Sequence, residues 1–215
     1  MEGNISLHYF QINGKAAIAR ALLSYGKTEY TNKMYTFEEW PSSKSLFEYG
    51  QLPVLEVDGN QYSQSIAIYL YLAKKFNLLG NSAEDLHAIT NLLCSSDDLA
   101  PKLSPVLFPR TDEQKEKLEE NTKVFLEFVA PVLRAYEQRA VKNGGKYMVG
   151  DGFTLADVYV AVMYKQVFGH VLRESTFLPV LKENAPTVLA IAQSVESNEL
   201  SSFFNNNGWL AESPF

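Results

Sequence analysis

The chain has 215 residues, 46% hydrophobic and 20% charged, with a net charge of −6. That balance fits a soluble globular protein of one large domain or two small ones, and no basic stripe is present to meet nucleic acid. The longest apolar stretches stop short of the roughly 18–20 residues needed to cross a bilayer. Residues 1–25 hold no basic segment followed by an apolar core, and Cys94 is the only cysteine. No secretory leader and no internal disulfide framework are therefore expected, and the expected location is cytoplasmic.

Up to about residue 80 the chain alternates short strand-like runs with helical ones. Residues 4–10, NISLHYF, set Ile5, Leu7 and Tyr9 on one face, as a strand does. Within 15–25, Ile18, Leu22 and Tyr25 fall at helical spacing, with Gly26 as a candidate C-cap. TEYTNKMY (28–35) reads as a second strand and 42–49 as a short helix or irregular stretch. Val54–Val57 and Gln61–Tyr62 form a hairpin about Asp58-Gly59, and Ile66, Tyr69, Leu70 and Ala73 mark a helix over 65–77. A strand–helix–strand unit followed by a hairpin and a helix predicts a small mixed sheet with helices on its faces.

Beyond LLGNSAED (78–85) the strand patterns stop. Long helices are predicted over 83–108 and 112–142, the second opened by Thr111 with Gln114 three residues on. Further helices are predicted over 154–171 and 187–199, with Gly144-Gly145 and Pro186 as breaks. The change of grain places a linker near 78–84 and divides the chain into an α/β domain, 1–78, and an all-α domain, 84–215. In DGFTLADV, Thr154 caps a helix, Asp157 reaches back, and Phe153 and Val158 take the staple positions. That signal concerns folding.

The stretch with chemical content is QLPVLEVDGNQYSQS, residues 51–65. Pro53 stands before the strand Val54–Val57, where a proline serves as a plain strand start or as a cis-proline. In the cis form the Leu52 backbone faces outward, with N–H and C=O open to an added extended peptide. Ser65 begins the next helix, either as an ordinary cap or as part of a carboxylate site made with the free N–H groups there, and Gln64 adds amide donors. A docking edge and an anion site one hairpin apart describe a receptor for a short anionic peptide.

The pattern resembles the glutathione transferases, and their sigma-like class in particular. The residues that carry the likeness are YF at 9–10, Gly14 with a basic residue after it, Trp40 with Lys44, GQLPVLEVDG at 50–59, QS at 64–65, DD at 97–98 and GDGFTLADV at 150–158. The resemblance implies an α/β thioredoxin-like N-terminal domain with a mixed four-stranded sheet, followed by an all-α C-terminal domain. It implies a detoxification enzyme that joins glutathione, as co-substrate and without other cofactor, to a hydrophobic electrophile held between the domains. Tyr9, with Phe10 beside it, matches the tyrosine that donates to the glutathione sulfur. Leu52, exposed by Pro53, matches the residue whose backbone pairs with the cysteinyl part. Gln64 and Ser65 match the pair on the γ-glutamyl carboxylate, and Trp40 and Lys44 the glycyl end. Asp98 matches an acid reaching across a homodimer to the γ-glutamyl amine.

Two departures bear on charge. Many sigma-like members carry GRAE where this chain has GKAA at 14–17, so Lys15 is a point charge in place of a bidentate fork, and Ala17 replaces its acidic companion. Gln51 stands where relatives often have a lysine. Read alone, Tyr9 is a half-buried amphipath at a strand end, Trp40 a packing residue, Lys44 a solvated side chain and Cys94 a small buried hydrophobe. His8, His87 and His170 lack zinc-ligand spacing, so no metal is expected. The electrophile pocket is expected around Phe10, Leu103, Val106 and Trp209. The resemblance leaves two rivals: a glutathione-dependent prostaglandin D isomerase, and a silent member comparable to the S-crystallins.

Overall fold

Four strands, β1 (Ile5–Phe10), β2 (Thr31–Tyr35), β3 (Val54–Val57) and β4 (Asn60–Ser63), form one sheet in the order β2-β1-β3-β4. It is mixed: β2 runs parallel to β1, while β3 is antiparallel to both β1 and β4. The β3–β4 hairpin turns through Asp58 (φ 51°) and Gly59 (φ 80°), the two left-handed residues of a type I′ turn. Interleaved are the helices α1 (Ala16–Tyr25), α2 (Trp40–Ser43) and α3 (Ser65–Lys75). The computed structural model describes residues 1, 3–205, 208–210 and 213.

β1 is an inner strand, paired along both edges, and its residues are buried on both faces from Ile5 to Tyr9. On one face Ile5, Leu7 and Tyr9 are buried with Leu22 of α1 and Ile68 and Leu72 of α3. On the other, His8 meets the rings of Tyr35 and Phe47, and Phe10 meets Phe37 and Trp40. Gly26 follows α1 as expected, but its φ is −73° and Lys27 takes the left-handed conformation instead. What excludes a side chain at Gly26 is proximity: an added Cβ would lie 2.2 Å from the Phe76 ring.

The remaining helices are α4 (Ala83–Leu107), α5 (Asp112–Glu116), α6 (Leu118–Lys142), α7 (Leu155–Met163), α8 (Glu174–Asn184), α9 (Pro186–Ser197) and α10 (Ser201–Asn205). Three open with reciprocal caps: Ser82 with Asp85, Thr111 with Gln114, and Thr154 with Asp157. Asp157 is fully buried and also accepts the Met148 N–H at 2.7 Å. The helix expected over 112–142 is interrupted at Lys117, where ψ turns to 15°. Helix α8 is unforeseen because Pro179 sits inside it; buried Phe177, Leu178 and Leu181 hold it in place. Pro186, expected as a break, is the first residue of α9, where a missing N–H costs nothing. Cys94 is exposed rather than buried, one residue past the buried pair Leu92-Leu93 on α4.

The chain divides into two compact units, one of Met1–Leu79 with Val195–Ser213 and one of Gly80–Ser194. The C-terminal stretch, expected with the helical domain, thus clusters with the sheet. Its ties are specific: the Asn13 side chain donates to the Leu210 carbonyl at 2.9 Å and accepts the Leu210 N–H at 3.1 Å, and the Asn13 N–H donates to the Ser213 hydroxyl at 2.9 Å.

One buried group makes the fold sensitive to acid. His8 is 4% exposed; its Nδ1 shares a hydrogen bond with the Tyr35 hydroxyl at 2.9 Å, while Nε2 lies 3.6 Å from Glu56 and has no hydrogen-bond partner among the described residues. Burial, aided by Lys33, holds its pKa below 6.5 despite the opposing pull of Glu56. Below pH 6.5 the unfolded chain therefore takes up a proton that the folded chain refuses, and stability falls until the folded pKa is reached. Urea unfolding between pH 7.5 and 5 should show this loss, at most about 1.4 kcal/mol per pH unit for the one group. The slope should be shallower in His8→Gln.

Candidate active site

The end of β1 and the start of α1 meet at a phenol. Tyr9 is 7% exposed, and its hydroxyl accepts the Lys15 N–H at 3.0 Å, leaving its own proton to give. Burial raises the Tyr9 pKa above 10, against the opposing effects of the Lys15 N–H and the Arg20 guanidinium. The hydroxyl is therefore protonated at neutral pH. Gly14 makes this approach possible: it has φ 40°, and an added Cβ would stand 2.6 Å from the Tyr9 oxygen.

Lys15 also lines a cleft in the same unit, together with Gln51, Leu52, Pro53, Gln64 and Ser65, and with Tyr49 and Ser63. The Leu52–Pro53 peptide bond is cis. Leu52 lies ahead of β3 in sequence, and among the described residues nothing bonds to its N–H or C=O. At the far wall Gln64 adopts φ 69° and ψ 115°, a sparsely populated conformation for a non-glycine residue and the kind of strain that collects at binding sites. Gln64 is the residue preceding α3, so Ser65 is its first helical residue rather than its cap, and neither side chain bonds to the helix end. The first N–H groups of α3 therefore lack intrahelical acceptors at the cleft that Ser65 lines. Lys15 is the one charged residue among the described lining.

The structure brings six of the eleven expected contacts to this one cleft and links a seventh, Tyr9, to it through the Lys15 N–H. Phe10 and Trp40 lie elsewhere in the unit, 5.6 Å apart in an aromatic cluster with Tyr35 and Phe47. Lys44 is exposed beside Gly50, and Asp98 is exposed on α4 in the other unit. Of the residues expected at an electrophile pocket, Leu103 and Val106 also lie on α4, while Trp209 meets Phe203 edge-on and Phe204 at a tilt in the first unit. Tyr49 and Ser63 were missed. Tyr49 sits in an irregular stretch with no periodicity, and Ser63 reaches the cleft only through its register opposite Val54. Among the described residues no cluster of three His, Cys, Asp or Glu could hold a metal, and no helix is long and apolar enough to cross a membrane.

A mixed four-stranded sheet with helices, followed by a helical unit, is the architecture of a glutathione S-transferase, and the sequence comparisons agree. The family model for the glutathione S-transferase N-terminal domain matches residues 5–74, and that for the C-terminal domain matches residues 97–206. The chain belongs to the glutathione S-transferase family. It is 32% identical to glutathione S-transferase 2 of Manduca sexta over 90% of this chain and 91% of that one. It is 27% identical to the human hematopoietic prostaglandin D synthase, again over 90% and 91%. Among solved structures it is similar to the monomeric Na-GST-3 of the hookworm Necator americanus, with a TM-score of 0.75 at 27% identity over 94% of this chain and 96% of that one.

Proposed function

We propose that this chain binds glutathione in the cleft of its first unit and transfers the thiolate to small hydrophobic electrophiles, as a sigma-like transferase. The observation that carries this reading is Leu52: an unbonded backbone N–H and C=O in a cleft whose other described walls offer Lys15, Gln64, Ser65 and a helix start. An extended tripeptide pairs with such an edge as an added strand does. The Gln64 and Ser65 end takes the γ-glutamyl carboxylate. Trp40 and Lys44 serve the glycyl end, Lys44 through its charge, and Gln51 supplies an amide where a cation is missing.

The chemistry then rests on Tyr9. A free thiol has a pKa of about 8.5, so only a few per cent is thiolate at pH 7. A hydrogen bond donated by the Tyr9 hydroxyl favours the charged form, with each unit gained worth about 1.4 kcal/mol. Fixing the sulfur beside a bound electrophile converts a chance encounter into a positioned attack. The sulfur forms a bond to the electrophilic carbon as the leaving group departs with its electron pair, or as the pair moves onto an activated acceptor. The thiol proton leaves earlier, on ionisation. No further cofactor enters this scheme. The similarity to a prostaglandin D synthase supports one alternative, isomerisation of an endoperoxide at the same thiolate. Side-by-side assays with a chloronitroarene and a prostaglandin endoperoxide separate the two.

Ser65→Ala should weaken glutathione binding about tenfold or more, since a hydrogen bond to a charged group contributes roughly 1.5–3 kcal/mol. Its melting temperature should barely move, because the hydroxyl caps nothing. Calorimetry with unchanged affinity would refute the carboxylate assignment. Tyr9→Phe should raise the bound thiol's pKa toward about 8.5 and cut turnover at pH 7 about tenfold per unit of that rise. The gap from wild type should close as pH climbs past the variant's thiol pKa. A deficit independent of pH would mean a misplaced substrate instead.

We further propose a cytoplasmic homodimer in which Asp98 reaches the γ-glutamyl amine bound by the partner. The acid is exposed on α4, and the resemblance matches it to a cross-dimer acid, although the similar Na-GST-3 is monomeric. Sedimentation should give a dimer at assay concentration, and Asp98→Asn should raise the KM for glutathione. A fully active monomer excludes this arrangement.

A further inference from the structure

Arg20, on α1, is 0% exposed, the most deeply buried charged group of the first unit. A guanidinium taken out of water ordinarily has a carboxylate beside it. Among the described residues Arg20 has none: its contacts are the Ile12 carbonyl at 2.8 Å, the Asn13 carbonyl at 3.5 Å and the Asn32 side-chain oxygen at 3.5 Å, and its Nε is enclosed with no partner. One helical turn back, where an i,i+3 partner would stand, is Ala17. The positive charge is thus not neutralised by a neighbouring acid. The guanidinium carbon lies 6.0 Å from the centroid of the Tyr9 ring.

We infer that Arg20 is a positioning residue for Tyr9. Its charge strengthens the phenol as a donor to the substrate sulfur, and its fork steadies the loop that brings the Lys15 N–H to the phenol oxygen. The inference rests on the proposed role of Tyr9. A cation behind a phenol stabilises the electron-rich oxygen that develops as the proton is shared, and it does so more strongly where water is excluded. Burial raises the Tyr9 pKa while Arg20 opposes that rise, which is the direction required. The fork acts on the loop directly, since Ile12 and Asn13 immediately precede Gly14 and Lys15. Lys15 cannot supply the same field: its side chain is exposed and its charge is screened by salt. The two cations therefore have different duties. Lys15 offers its backbone N–H to the phenol and its side chain to the cleft, whereas Arg20 offers an unscreened charge from behind.

The test is the pKa of the thiol of bound glutathione, read from thiolate ultraviolet absorbance, with melting temperature recorded in parallel. Arg20→Gln keeps a donor for the Ile12 carbonyl but removes the charge; Arg20→Lys keeps the charge but removes the fork. Arg20→Gln should raise the thiol pKa by about one unit, a tenfold loss of thiolate well below the pKa. The rise should persist at high salt, and Arg20→Lys should lie closer to wild type than Arg20→Gln. In a Tyr9→Phe background Arg20→Gln should add little further. An Arg20→Gln protein that melts lower but keeps the wild-type thiol pKa would overturn the inference, as would an equal shift with and without the Tyr9 hydroxyl. Should the glutamine variant fail to fold, the lysine variant decides: a thiol pKa displaced as far as in Tyr9→Phe overturns the role of charge, and one near wild type upholds it. If Tyr9→Phe itself leaves the thiol pKa unchanged, the reading of Tyr9 fails, an outcome distinct from a shift in Tyr9→Phe with none in Arg20→Gln.

Discussion

The hydrogen bond from the Lys15 amide to the Tyr9 hydroxyl joins the end of the inner strand to the start of the first helix, and most of the site is arranged around it. The N–H groups at a helix start lack intrahelical acceptors, so this one is available to a side chain. The Lys15 carbonyl is engaged as well, by the hydroxyl of Tyr69 on α3. One residue's backbone thereby ties together β1, α1 and α3. The geometry tolerates no side chain at position 14, and this is where glycine is required for space as well as for its φ of 40°.

The electrostatic character of the first unit follows from what is buried. Arg20 and His8 are both enclosed, one charged and one held neutral, on opposite faces of the same sheet. His8 shares its face with Tyr35, Phe47 and Phe10, an aromatic layer in which an imidazolium finds little solvation. Arg20 faces carbonyl oxygens, an amide and a phenol, which partly replace water for a guanidinium. The cleft itself carries positive charge at Lys15, with hydroxyls and amides elsewhere on its described walls. The preference for an anion proposed above is built mainly from oriented dipoles.

Local chemistry explains which features were legible in the sequence. Asp58-Gly59 requires a hairpin, Thr154 with Asp157 a helix start, and Pro53 a strand beginning; each acts over a few residues and needs no knowledge of the rest. The cleft residues at 51–53 and 64–65 were visible for the same reason, being one hairpin apart. Features that depend on remote partners were not. Ser63 reaches the cleft through strand register, Tyr49 through an irregular bend, and Arg20 matters because of what is missing around it. Cys94 shows how narrow the margin is on a helix, since one residue is a turn of about 100° and separates a buried position from an exposed one. Pro179 misled in the other direction, because tertiary burial of Phe177 and Leu181 outweighs one lost backbone bond.

The paired hydrogen bonds between Asn13 and Leu210 make the first unit discontinuous along the chain. Its sheet is complete by residue 63, yet Leu210, which anchors the loop at Asn13, is added almost 150 residues later. The strands of the first unit are encoded early, but the loop at Asn13 has its full set of bonds only once the chain extends through Leu210 and Ser213. Its cohesion thus depends on residues far apart in the sequence.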